Sequence, residues 1–209
     1  MYTPKAFRED DREKLYALMQ EYSFAVLVTS QQDGTPLATH LPFMLDTERG
    51  PYGTLRAHMA RANPQWQAFD GTCEVLVIFQ GPHAYISPSW YGEKLSVPTW
   101  NYTAVHAYGK PRVIEDTAEL YSSLQDLIQR SESGFEKPWM FDSLPDDYVQ
   151  NLMRGTVGFE MEITRLEGKF KISQNRPEGD QIRVAATLHA SSNTLGVGIA
   201  DLMDQRRKA

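Results

Sequence analysis

The sequence holds one cysteine, Cys73, in 209 residues, so no intrachain disulfide can form. Cys73 sits in the apolar run CEVLVIF, which predicts a buried, inert thiol. No apolar run approaches the ~20 residues that a membrane-crossing helix needs, and no secretory h-region opens the chain, so we expect a cytoplasmic protein without membrane contact. Basic charge is in deficit: 21 Lys and Arg stand against 27 Asp and Glu, for a net charge of −6. A broad nucleic-acid footprint normally needs a basic face, which this balance does not offer. The one basic cluster, Arg206-Arg207-Lys208, reads as a solvated tail favouring the negative end of a last helix. Also missing are a G-x-S-x-G elbow, a Walker loop and a G-x-G-x-x-G turn. The five histidines (His40, His58, His83, His106 and His189) show neither H-x-x-x-H nor H-E-x-x-H spacing, and no metal site is expected.

What is present suits one domain, residues 1–209, with 41% hydrophobic residues to build a core. REDDREKLYALMQEY places Leu15, Leu18, Met19 and Tyr22 at helical spacing behind an acidic first turn. FAVLVTS and TPLATHLPFML flank QQDG, Gln31 to Gly34, as a hairpin whose glycine supplies positive φ. Pro36 and Pro42 mark strand ends, edges or bulges. YGTLRAH reads as a strand, and ANPQWQAF as a helix of about two turns with Asn63 as N-cap and Pro64 in its first position. CEVLVIFQG is a buried strand bounded by Gly81 and Pro82, and TWNYTAVHAYGKPRVI a long one. Helices follow at TAELYSSLQDLIQRSE and from about Asp146 to Met153. TVGFEMEITRLEGKFKIS alternates, with Val157, Phe159, Met161 and Ile163 on one face and EGK as a tight connection. Two helical patterns, near Gln181 to His189 and Leu195 to Arg206, complete the chain. Six or seven strands that come first and return late, with helices between, predict an α+β fold. Closing such an antiparallel sheet into a small barrel removes its edges.

Four stretches carry more polar and aromatic chemistry than a core needs. GTLRAHMARANPQW sets His58, Arg61, Asn63 and Trp66 at a strand-to-helix corner. Helix-start N–H groups with an Arg fork there would hold a phosphate; a capped helix with Arg in solvent explains the same residues. GPHAYISPSWYG, Gly81 to Gly92, reads as a rigid aromatic loop suited to a subunit interface or to a flat ligand. On the strand VPTWNYTAVHAYG, Thr99, Asn101 and Thr103 share a face with Val105, while Trp100, Tyr102 and His106 share the other. That polar row could read a ring's carbonyls and imides, or the strand's aromatics could simply pack in the core. KFKISQN ends a strand in Ser, Gln and Asn with Lys169 and Lys171 on one side, at a site or at a plain surface strand end.

In this order, HLPFML, LRAHMARANPQW, PHAYISPSWY, VPTWNY, VHAYG and KISQNR resemble the PaiB-like family of FMN-binding proteins, often called FMN-binding negative transcriptional regulators. The resemblance implies an antiparallel split β-barrel, as in the pyridoxamine-phosphate oxidase superfamily, with peripheral helices and a helical C-terminal tail. The core would run over about residues 22–175 and the tail helices over about 177–209. It implies FMN as cofactor and a homodimer with flavin at the subunit interface. His58 and Arg61 would hold the phosphate, with Asn63 capping the helix and Trp66 packing the corner. His40 would give a phosphate or ring contact, and Thr99, Trp100, Asn101 and Tyr102 would read the ring. Lys171, Ser173 and Gln174 would approach flavin from the other subunit.

The function implied is redox sensing or negative regulation of transcription, exerted indirectly through a small molecule or protein partner, since neither tail helix carries a basic recognition face. The alternative is an FMN-dependent oxidoreductase acting on a small molecule. Tyr102 and His106 are then acid–base candidates by nearness to the ring alone, and no residue is assigned a catalytic role. A direct DNA-binding repressor and a haem-handling protein are lesser alternatives.

Overall fold

Asp11 accepts a hydrogen bond from the Glu13 amide and opens the first helix, α1 (Arg12–Glu21), which buries Leu15, Leu18 and Met19. The capping carboxylate and the three- and four-residue spacing of apolar groups explain both its start and its buried face. The structure is a computed structural model that describes residues 1–31, 33–93 and 95–208, with the backbone alone for Asp142. Its strands are β1 (Arg8–Glu9), β2 (Phe24–Ser30), β3 (Pro36–Pro42), β4 (Met44–Asp46), β5 (Thr54–Ala60), β6 (Val75–Ile86), β7 (Thr99–Val113) and β8 (Thr156–Lys171). The remaining helices are α2 (Thr117–Glu132), α3 (Asp146–Arg154), α4 (Glu178–His189) and α5 (Thr194–Lys208).

The strands form one antiparallel eight-stranded sheet in the order β3-β2-β6-β7-β8-β5-β4, with β1 added on β8. Its hydrogen-bonded path does not close on itself, so hydrogen bonding leaves β3 and β4 as edges. Pro36 and Pro42 are the first and last residues of edge strand β3, where a missing N–H does least harm. The hairpin β2–β3 pairs Val26 with His40 and Leu27 with Thr39. Gly34 turns it at a φ of 83°; Gln32 of that turn lies outside the described residues.

Internal contacts divide the chain into two compact units. The first contains Met1–Tyr22, Phe79–His106 and Glu167–Ala209, and its core packs Ile86, Tyr91, Ile172, Val184, Leu188, Ile199 and Met203. The second contains Ser23–Ile78 and Ala107–Leu166. Leu27, Phe43, Leu55, Val77 and Phe159 are among its most deeply buried side chains. A satellite cluster in the second unit joins Leu120 of α2 to Phe141, Val149 and Met153.

Five local expectations differ from the structure. The helix after Asn63 is a 3-10 helix of five residues, Pro64–Ala68, tighter and shorter than the ANPQWQAF span suggests. Phe69 N–H already bonds Trp66 O, and the Phe69 ring packs on Phe159 at 4.8 Å, which draws the chain inward there. Strand β6 does not stop at Gly81 and Pro82 but runs through them to Ile86, so half of the expected aromatic loop is strand. Gly81 makes this feasible, because a side chain there would collide with the Thr103 hydroxyl on β7. Strand β8 likewise continues through the expected EGK connection. A Cβ at Gly168 would lie 2.6 Å from Glu9 O, so glycine permits the close approach of β1. Eight strands stand against the six or seven expected, and β1 and β4 are too short to show a period. Cys73 is exposed rather than buried. It precedes the strand in a turn fixed by Asp70 Oδ1, which accepts from the Thr72 amide at 2.8 Å and its hydroxyl at 2.7 Å. Among the described residues no helix is long and apolar enough to cross a membrane.

Candidate functional site

The predicted site residues fall into two groups, one in each unit. In the second unit the corner after β5 is built on Asn63. Its amide bonds Ala60 O at 2.9 Å, and its Oδ1 accepts from Gln65 N at 3.0 Å, the predicted N-cap. Its Nδ2 donates to Thr39 Oγ1 on β3 at 3.0 Å. Trp66 packs the corner as expected, its Nε1 donating to Arg61 O at 3.0 Å with the Arg61 guanidinium 5.7 Å from its ring centroid.

Arg61 itself is aimed by neutral groups. Nε donates to Arg154 O at 2.8 Å, and Nη2 to Thr156 O at 3.0 Å. The Arg154 carbonyl ends α3, where unpaired carbonyls concentrate partial negative charge and favour a cation. No carboxylate pairs with Arg61 among the described residues, and Nη1 makes no hydrogen bond there. The guanidinium is therefore exposed, fixed in direction and uncompensated in charge. His58 on β5 is half-buried, and burial pushes its imidazole pKa down, so at neutral pH it is a neutral hydrogen-bonding group. His40, on edge strand β3, is exposed and stacked on Phe24 at 6.2 Å.

In the first unit, β7 and the end of β8 form the second group. Strand alternation places Trp100 and Tyr102 opposite Asn101 and Thr103, as predicted. Asn101 and Thr103 are 0% exposed, so this polar row lies inside the fold. Asn101 Nδ2 donates to Ser173 Oγ at 2.8 Å, while Asn101 Oδ1 and Thr103 Oγ1 have no hydrogen-bond partner among the described residues. Ser173 has a φ of 62°, the left-handed region, alone among described non-glycine residues. Buried unpaired acceptors beside a strained residue mark a place where function competes with stability. Gln174 closes the strand end, its Oε1 accepting from Ile172 N at 2.7 Å and its Nε2 donating to Phe170 O.

The lysines here lack counter-ions. Lys171 Nζ donates to Thr99 Oγ1, with the Phe7 ring centroid 5.9 Å away. Lys169, only 8% exposed, donates to Tyr2 O at 3.0 Å and lies 5.1 Å from the Tyr102 ring centroid. Neither pairs with a carboxylate among the described residues. Trp100 is half exposed, in contact with Tyr85 at 6.0 Å and His83 at 6.2 Å.

Two supporting arrangements escape sequence reasoning. Buried Gln65 donates from Nε2 to Leu37 O and Thr29 Oγ1, both at 3.1 Å, tying the corner to the β2–β3 hairpin. On β8, buried Glu160 is gripped bidentately by Arg49 at 3.0 and 2.9 Å, and Arg112 Nε bonds it at 3.0 Å. Burial would raise the Glu160 pKa, but the two guanidinium groups outweigh it and hold it below the usual carboxylate range. The TVGFEMEI alternation gives no hint of this, because Glu160 occupies the face expected to be polar. Among the described residues no cluster of His, Cys, Asp or Glu could hold a metal ion.

A flavin mononucleotide brings a phosphate dianion and a flat ring edged with carbonyl and imide groups. The aimed, uncompensated Arg61 guanidinium fits the phosphate dianion; in the other unit, taken by itself, Lys169 and Lys171 are cations with no carboxylate partner among the described residues.

Comparison with known proteins agrees. Residues 1–165 match the family described as "Putative FMN-binding domain". The chain is 39% identical over 208 residues to the Protease synthase and sporulation protein PAI 2 of Bacillus subtilis, covering 100% of this chain and 99% of that one. It is 33% identical to the protein AN0679 of Emericella nidulans, covering 99% and 97%. Among solved structures, the flavocytochrome Anf3 of Azotobacter vinelandii superposes with a TM-score of 0.60 at 15% identity, covering 78% of this chain and 69% of that one. The FAD and heme binding protein of Mycobacterium smegmatis does so with a TM-score of 0.58 at 19% identity, covering 78% and 73%. These likenesses show the shared α+β split-barrel fold. The PaiB-like FMN-binding domain family is the one to which this chain belongs.

Proposed function

We propose that the protein is an FMN-binding homodimer that senses redox state or a small molecule and acts negatively, and indirectly, on transcription in the cytoplasm. The observation that carries the FMN assignment is Arg61, a guanidinium held by two backbone carbonyls and neutralised by no carboxylate. Its remaining donors hold the flavin phosphate, with His58 as a neutral partner. Lys171 and Gln174 at the end of β8 reach flavin bound by a second copy, while buried Ser173, bonded to Asn101, shapes that end. Half-exposed Trp100, Tyr85 and His83 supply the kind of aromatic surface that subunit interfaces favour. Bound FMN supplies electron transfer, while the chain binds and orients it.

Indirect action fits the charge distribution. Of the basic residues ending α5, Arg207 is already paired with Asp204 at 2.6 Å, which leaves Arg206 and Lys208, too few for a broad DNA-backbone footprint. The test is an absorbance scan from ~300 to ~550 nm during FMN titration, with size-exclusion chromatography of the product. Flavin bands that co-elute with a dimer are expected; a spectrum unchanged by FMN overturns the assignment. Sequence-dependent gel shifts at moderate salt would overturn the indirect mode of regulation.

A further inference from the structure

We propose that the Lys171 ε-amine is a nucleophile that condenses with small aldehydes carrying an anionic group. The proposal goes beyond the flavin assignment and does not rest on it. Strand geometry puts Lys169 and Lys171 two residues apart on one face of β8, so their ammonium groups are neighbours. Lys169 is buried, its charge met among the described residues by the Tyr2 carbonyl and by the rings of Tyr2 and Tyr102. Rings and a carbonyl stabilise a cation without cancelling it. Of the charged groups nearby, Glu167 pairs with the chain's own amino group, and Arg8, the cross-strand neighbour of Lys169 on β1, pairs with Asp10.

Lys171 is half-buried, beside the Phe7 ring, with the Thr99 hydroxyl as its one hydrogen-bond partner among the described residues. Burial, and then the Lys169 charge, push its pKa down, which raises the fraction of free amine at neutral pH. Desolvation together with an adjacent cation is the combination that turns a lysine into a carbonyl nucleophile. The nitrogen lone pair attacks the aldehyde carbon, a C–N bond forms, and the C=O electron pair moves to oxygen. That oxygen takes the proton released from nitrogen, for which the Thr99 hydroxyl is the adjacent relay. Loss of water then leaves an imine: Lys–NH2 + OHC–R gives Lys–N=CH–R + H2O. An anionic R is drawn in by the uncompensated Lys169 charge.

Glyoxylate, as the probe, is added to the purified protein together with cyanoborohydride, which reduces the imine to a stable carboxymethyl-lysine. Peptide mapping then locates the label, and flavin absorbance is read on the same sample, so a failed flavin site is visible separately. Lys171 is expected to be labelled several-fold faster than the exposed Lys5, Lys14, Lys110, Lys137 and Lys208. Glyoxylate is expected to outpace neutral acetaldehyde there. Lys169→Met should slow labelling of Lys171 several-fold and erase the preference for glyoxylate, whereas Lys169→Arg should retain both. Label spread over the exposed lysines with no excess at Lys171 overturns the proposal, and this readout needs no variant to fold. Equal rates for glyoxylate and acetaldehyde overturn its anionic specificity.

Discussion

The corner after β5 and the strand end around Lys171 both hold positive charge that no carboxylate cancels, yet they do so in opposite ways. At the corner most donors are spent, and only the buried Gln65 Oε1 acceptor is left without a partner among the described residues: Asn63 caps, Trp66 bonds Arg61 O, and Arg61 spends two donor groups on carbonyls. Neutral acceptors consume donors but leave the charge, so the guanidinium is preorganised at little cost in flexibility. At the strand end, acceptors on Asn101 and Thr103 go unpaired, Ser173 is strained, and the lysines rest against rings. The first arrangement suits a fixed anion such as a phosphate. The second keeps unspent capacity for a ligand that comes and goes.

The largest effect that could break this comparison is expected at Arg61. Arg61→Ala should weaken FMN binding by about tenfold or more, since a charge-assisted phosphate contact contributes ~1.5–3 kcal/mol. Arg61→Lys should not restore it, because an ammonium cannot span two carbonyls and still present a directed donor. Isothermal or fluorescence titration of both variants decides the matter. Full affinity in Arg61→Ala would reduce the corner to a cap on α3.

Next comes Gln65, which belongs to the scaffold of the same corner. Gln65→Ala strands the Leu37 carbonyl and the Thr29 hydroxyl, and should cost about 1–3 kcal/mol in denaturant unfolding. FMN affinity of the folded fraction should stay unchanged. A loss of affinity matching that of Arg61→Ala would merge scaffold and site.

A smaller effect of opposite sign is expected at the strand end. Thr103→Val removes a buried hydroxyl without a partner while nearly keeping its shape, and should stabilise the protein by about 1 kcal/mol. Thermal melts with and without FMN check it. A fall in stability would mean that the hydroxyl is satisfied, and the contrast between the two regions would vanish on that side.

Much of this was legible before the structure, and the exceptions share a cause. Period and capping chemistry located α1, α2 and α3, the β2–β3 hairpin, and the Asn63 cap, because each is decided by residues close in sequence. Gln65, Glu160 and the burial of Lys169 were not legible. Each is defined by a partner far along the chain: Leu37, Arg49 or Tyr2. The misplaced ends of β6 and the EGK connection fail for a related reason. Read locally, a glycine signals a stop; across the sheet it makes room for Thr103 or Glu9. The alternation of β7 correctly separated Asn101 from Trp100, but alternation alone does not say which face is buried.

The smallest effect concerns His58 and acid. Burial lowers its pKa in the folded state below the ~6.5 of the unfolded chain, so between the two values the unfolded state binds more protons. Stability is then fully present above pH ~6.5 and is lost progressively as pH falls through that window. Glu160 works in the same direction lower down, where protonation would release its two arginines. His58→Gln should flatten the upper part of the profile and leave the acid limb of Glu160 in place. Urea unfolding from pH ~7.5 to ~3 separates the two. If phosphate binds beside His58, it favours the protonated imidazole, and saturating FMN should weaken that upper slope. An upper slope that FMN leaves untouched would place the phosphate away from His58 and give the anion to Arg61 alone.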